Sequence, residues 1–147
     1  MSSSRANSIV LYVEDEESDT LFMQTAFRKA GLGTALRCVE NGQEAINYLE
    51  GSGAFADRET HPLPALLLLD LNLPVVSGFG VLEWLRRHPE FHSLAVVVFS
   101  SSVRSEDRVR AMQLGANDYV EKPSSGLHFG RVVEGLREKW FGIAAAN

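Results

Sequence analysis

Ala65-Leu66-Leu67-Leu68-Leu69-Asp70 is the most apolar run of the chain, and it ends on a charge. Four successive leucines leave no polar face. A strand made of them is buried on both sides, as the central strand of a parallel sheet is. Working outward, Ile9–Val13, Ala35–Val39, Ala95–Phe99 and Asn117–Glu121 read as further short, apolar strands. Between them lie stretches of helical spacing: Ser18–Ala30, Gln43–Leu49, Phe79–Arg87, Ser105–Leu114 and about Ser125–Trp140. Gly31, Pro89 and Gly115 supply stops, and Asn41-Gly42 supplies a turn. On the first helix, Leu21, Phe22, Thr25, Ala26 and Ala30 are expected to share one face. Gly51–Pro64, with two glycines and two prolines, reads as a surface excursion with little regular structure. This alternation predicts an α/β fold, a doubly wound five-stranded parallel sheet with helices on both faces.

Composition agrees. The chain has 147 residues, 45% apolar and 22% charged, with a formal net charge of −5. That suits one soluble domain and argues against a nucleic-acid-binding surface, which is usually basic. A single cysteine, Cys38, rules out an internal disulfide and is read as core packing. The polar N-terminus has no apolar leader, and no apolar run approaches the roughly 20 residues of a membrane span. The expectation is a cytoplasmic protein with a flexible N-terminus over residues 1–7, one domain over 8–142 and a flexible tail over 143–147.

Ligands of open α/β sheets bind outside the carboxyl ends of the strands. Those ends carry Glu14-Asp15, Asp70, Ser100 and Glu121-Lys122-Pro123. Each alone has an ordinary reading: a solvated helix start, a loop cap, a turn. Together, at successive strand ends, they bring three carboxylates, a hydroxyl and an ammonium to one rim. Crowded carboxylates repel unless a counter-charge is present. Oxygen-only ligands of this kind suit Mg²⁺, with Mn²⁺ an alternative, better than Zn²⁺. Lys122 neutralises part of the charge and can grip an incoming phosphate oxygen.

The segments Val10–Asp15, Asn41–Leu49, Leu67–Gly78, Val97–Ser101 and Gly115–Pro123 resemble the receiver domains of bacterial response regulators, the CheY-like group. The resemblance spans nearly the whole chain. It implies a flavodoxin-like (βα)5 fold with strand order 2-1-3-4-5. It implies that Asp70 is the phosphoacceptor, that Asp15 binds the metal directly and Glu14 through water, and that the backbone carbonyl of Asn72 completes the metal shell. By the same likeness Ser100, with Ser101 beside it, and Lys122 hold the phosphoryl group, and Tyr119 is the aromatic switch. The Lys122–Pro123 bond is expected to be cis, and Asn72 and Ser102 to tune dephosphorylation.

The partners implied are a sensor histidine kinase and a phosphotransfer protein, with the chain acting as a signalling phosphoacceptor rather than an enzyme. It would signal by protein contacts, or serve as an intermediate carrier or sink of phosphate in a phosphorelay. The long Gly51–Pro64 segment and Trp140-Phe141 resemble the small stand-alone regulators paired with bacterial phytochromes. Val120, Val132, Val133, Leu136, Trp140 and Phe141 are expected to offer a partner surface, and a homodimer follows from it. A haloacid-dehalogenase-type hydrolase would need a second Asp two residues after Asp70, where Asn72 stands. A flavodoxin-like nucleotide carrier would not place Glu14-Asp15-Glu16-Glu17 against a phosphate. A silent pseudo-receiver would lack some of these positions, and all are filled.

Overall fold

The computed structural model describes residues 9–141, with side chains to Trp140. The expectations for residues 1–7 and 143–147, and for the Phe141 side chain, lie outside the described residues. Five strands, β1 (Val10–Val13), β2 (Leu36–Val39), β3 (Leu66–Leu69), β4 (Ala95–Ser100) and β5 (Asp118–Glu121), form one sheet in the order β2-β1-β3-β4-β5. Every pairing is parallel, and Val13 stands opposite both Val39 and Leu69. The helices are α1 (Glu17–Lys29), α2 (Gly42–Glu50), α3 (Gly78–Arg86), α4 (Ser105–Gln113) and α5 (Phe129–Leu136). No described helix is long and apolar enough to cross a membrane.

Side chains alternate across a strand, and the sheet accordingly divides the core in two. Leu11, Val13, Leu67, Leu69, Val96, Val98 and Tyr119 face α2, α3 and α4. Val10, Tyr12, Leu66, Leu68, Val97 and Phe99 face α1 and α5. All four leucines of β3 are buried. Each contributes about 2 kcal/mol relative to exposure.

Local signals start and stop the helices. The Asn41 side chain accepts the Glu44 N–H at 2.8 Å, while the Glu44 carboxylate accepts the Glu40 N–H at 2.8 Å. The first bond satisfies a donor that the first turn of α2 leaves over, and the second ties that turn to the residue before the cap. The same helix ends on Gly51 in the left-handed region, φ 73°. Acidic Glu17 and Asp19 open α1, and basic Arg28 and Lys29 close it, in keeping with the helix dipole.

Three expectations need correction. The buried stripe of α1 is Met23, Ala26 and Phe27. Leu21 is 56% exposed and Phe22 39% exposed, because the helix is rotated so that Met23 and Phe27 enter the layer under β1. As expected, Gly51–Pro64 has little regular structure, a single 3₁₀ turn over Gly53–Phe55, and side chains anchor it to the fold. The Arg58 guanidinium donates to the carbonyls of Tyr48 (2.8 Å), Leu49 (2.7 Å) and His61 (3.1 Å). Tyr48, Phe55 and His61 pack their rings together beneath it. Second, the last helix is shorter, since a 3₁₀ turn, Gly126–His128, precedes α5 and a π turn, Arg137–Phe141, follows it. Third, Val133 and Leu136 are core, not partner surface, for with Phe129 they form the stripe that α5 lays on the sheet. Val120, Val132 and Trp140 are half-buried against that core.

Candidate functional site

The register of the sheet assembles the site. Glu14 and Asp70 are the residues that follow the paired Val13 and Leu69. The Asp70 N–H donates to the Val13 carbonyl at 3.3 Å, and the Glu14 N–H to the Val39 carbonyl at 3.0 Å. Both side chains are buried. The Lys122 N–H donates to the Ser100 carbonyl at 2.8 Å, which aligns the ends of β4 and β5. Carboxylate oxygens of Glu14, Asp15 and Asp70 lie within 4.8 Å of one another, a group suited to a divalent cation. Asp15 is exposed, so the cluster opens to solvent on one side.

The Lys122 ammonium sits inside this cluster. Its Nζ lies 2.7 Å from Glu14 Oε1, 2.8 Å from Asp19 Oδ2 and 3.3 Å from Asp70 Oδ2. One positive charge faces several negative ones, and a further cation would be welcome. Burial alone would lower the lysine pKa. Hydrogen bonds to Asp19 and Glu14, with the Asp70 charge, outweigh it and hold the ammonium well above its ordinary value. For Glu14 the balance goes the other way. Burial, with the Asp70 charge adding to it, pushes its carboxyl up to about 7 against the opposing Lys122 hydrogen bond.

Two participants were missed by sequence reasoning. Asp19, in the first turn of α1, shares Lys122. A carboxylate in the first turn of the helix that follows the Glu14-Asp15 strand end was the available signal. Tyr12, two residues before Glu14 on the same face of β1, donates its phenol to Glu14 Oε1 at 3.0 Å. Burial, then the Glu14 charge, drives its pKa far above the ordinary phenol value, so the hydroxyl keeps its proton.

The remaining candidates lie around this centre. Asn72 is exposed, and its N–H donates to Asp70 Oδ1 at 3.4 Å. Ser100 is fully buried, and its Oγ accepts the Ser102 N–H at 3.2 Å. Ser101 is exposed. The Ser102 hydroxyl is turned toward α4 and donates to Asp107 Oδ2 at 2.6 Å. Tyr119 points inward. Its phenol donates to the Ser102 carbonyl at 3.0 Å, and the Arg108 guanidinium lies 4.7 Å from its ring centre. The expected cis bond is absent: the described residues contain no cis peptide, so Lys122–Pro123 is trans. A trans X-Pro bond is favoured by about 0.5–1 kcal/mol unless packing selects the other isomer. Here the lysine reaches all three carboxylates from the trans backbone.

A doubly wound sheet with an acid cluster, a buried hydroxyl and a lysine on its C-terminal rim is the architecture of a signalling phosphoacceptor. The chain belongs to the response regulator receiver domain family, which it matches over residues 10–130. It is 34% identical over 137 residues to a probable methanogenesis regulatory protein, FilR2, of Methanothrix harundinacea, covering 91% of this chain and 84% of that one. A crystal structure of the phosphorylated cyanobacterial phytochrome response regulator RcpA superposes with a TM-score of 0.84 at 30% identity, covering 96% and 97% of the two chains. The Mn²⁺-bound form of response regulator Rcp1 superposes with a TM-score of 0.78 at 28% identity, covering 91% and 94%.

Proposed function

We propose that Asp70 accepts a phosphoryl group from a phosphohistidine on a partner kinase. The observation that carries this is the position of Asp70, at the end of β3, 3.3 Å from the Lys122 ammonium and clustered with Glu14 and Asp15. An Asp70 carboxylate oxygen attacks phosphorus in line, the P–N bond to the donor imidazole breaks, and the imidazole leaves. Glu14, Asp15, Asp70 and the Asn72 carbonyl are the residues that would hold Mg²⁺, or Mn²⁺ as in the Rcp1 structure. A bound dication supplies charge neutralisation for the phosphoryl oxygens. Lys122 already lies against Asp70 and needs only a short swing to reach a phosphoryl oxygen there.

Ser100 and Ser101 are the hydroxyls nearest that end of β4. Inward movement of Ser100 toward the phosphoryl group would alter the Ser102 segment, which the Tyr119 phenol holds. A local charge change is thereby read on the α4–β5 surface. Asn72 and Ser102 flank the path by which water would hydrolyse the acyl phosphate.

The likeness to RcpA and Rcp1 supports a place in a phytochrome-type pathway, with a sensor histidine kinase upstream and a phosphotransfer protein or phosphate sink as alternative outputs. On this reading the chain works in the cytoplasm and binds neither membrane nor nucleic acid. Self-association, if the chain dimerises, would use Val120, Val132 and Trp140, beside the Lys139–Asp118 ion pair of 2.9 Å. Sedimentation of the full chain against Trp140→Ala tests that surface, and equal masses would remove it.

Incubation with acetyl phosphate and Mg²⁺ tests the central reading by intact mass. Wild type gains one phosphoryl group and Asp70→Asn gains none. An equal gain in both chains would overturn it.

A further inference from the structure

β1 carries a tyrosine where its burial calls only for bulk. Tyr12 is wholly buried, and its ring lies 6.2 Å from that of Phe99, among Met23, Phe27 and Leu68. Phenylalanine would fill the same space with no polar atom to satisfy. The hydroxyl therefore needs a partner. Its one hydrogen bond goes to Glu14 Oε1, the oxygen that Lys122 also holds, while Glu14 Oε2 accepts the Glu16 N–H at 3.1 Å. Lys122 is shared among three carboxylates, and the proposed function takes it away toward a phosphoryl oxygen. The phenol has nowhere else to go.

We infer that Tyr12 is a positioning residue, whose buried phenol fixes the Glu14 carboxylate for the dication and keeps Oε1 satisfied when Lys122 departs. This deepens the proposed function and rests on its metal site. A neutral donor suits the task. It orients the carboxylate without cancelling the charge that attracts the ion, as outer hydrogen bonds do around metal ligands.

Tyr12→Phe tests this, with Mg²⁺ binding measured by calorimetry on the phosphate-free chain. The expected result is a dissociation constant raised about 10-fold. A second measurement separates positioning from packing. The chain has three tyrosines, so tyrosine labelled with carbon-13 at Cζ alone gives three carbon signals by NMR, and the one missing in Tyr12→Phe is Tyr12. In wild type that signal is expected to move on Mg²⁺ addition. An affinity within two-fold of wild type overturns the inference. So does a Tyr12 signal that Mg²⁺ leaves in place, whatever the variant's affinity or folding. Wild type that binds no Mg²⁺ at all would instead overturn the metal reading beneath it.

Discussion

Gly78 lies directly against the carbonyl oxygen of Asp70, with no room between them for a β-carbon. The first residue of α3 thus sets the height at which β3 ends. The Gly78 N–H adds a hydrogen bond of 2.9 Å to the Leu71 carbonyl. In Gly78→Ala the backbone under Asp70 must shift, since neither neighbour is a flexible side chain. The expected cost is about 1–3 kcal/mol in urea unfolding. Acceptance of phosphoryl from acetyl phosphate is expected to fall with it. A variant of unchanged stability and activity would show that this contact is slack.

Lys122 is the counter-charge of the metal-free site. Replacing it with Met leaves the buried Glu14 and Asp70 carboxylates facing Asp19 with no cation. Stability without metal is expected to drop by about 3 kcal/mol. Mg²⁺ should then restore more stability to the variant than it adds to wild type, because the dication meets an uncancelled field. Thermal melts with and without Mg²⁺ measure both effects, and an equal Mg²⁺ increment in the two chains would contradict the account.

Val75 has φ 69° in the loop that leaves β3, and Val76 N–H donates back to the Pro74 carbonyl at 2.8 Å. This is a γ-turn of the rare, strained hand, centred on a β-branched side chain. Val75→Asn should stabilise the chain by about 1 kcal/mol, since asparagine tolerates that region. A loss of stability in urea would mean the exposed valine makes a contact worth more than the strain.

Cys38 gives a pH dependence. Burial pushes its thiol up to about 11, against a weak hydrogen bond from Gln24. The unfolded thiol loses its proton near pH 8.5, the folded one much later. The thiol's contribution to stability is full below the unfolded value and is lost as pH rises toward 11. At pH 8 the native chain should react with iodoacetamide roughly 100-fold more slowly than the unfolded chain, because the thiolate is the nucleophile. Equal rates would show an open, ordinary thiol.

How much of this could be read from the residues alone depends on the range of the interaction. The four leucines of β3 announced a strand buried on both faces without help from neighbours. The strand-end logic then named Glu14, Asp15, Asp70, Ser100 and Lys122. Asp19 and Tyr12 escaped because a carboxylate in a first helical turn and an aromatic in an apolar strand both have ordinary readings. Only the folded register brings them to Lys122 and Glu14. The anchoring of Gly51–Pro64 by Arg58 escaped for a similar reason: it acts on the end of a helix nine and ten residues earlier. The rotation of α1 was likewise invisible, since Leu21 and Phe22 are as apolar as Met23 and Phe27, and only packing chooses between adjacent stripes.

The alternation of the strands has a consequence for inheritance and for engineering. Glu14 and Asp70 project on the α1–α5 side of the sheet, while Ser100 and Tyr119 belong to the side of α2, α3 and α4. Chemistry and message therefore occupy opposite storeys of one floor, and Ser100 is the stair between them. Away from Ser100 and Gly78, either storey can be remodelled while the other stays furnished, so a descendant of this chain could change its listener without relearning how to be addressed.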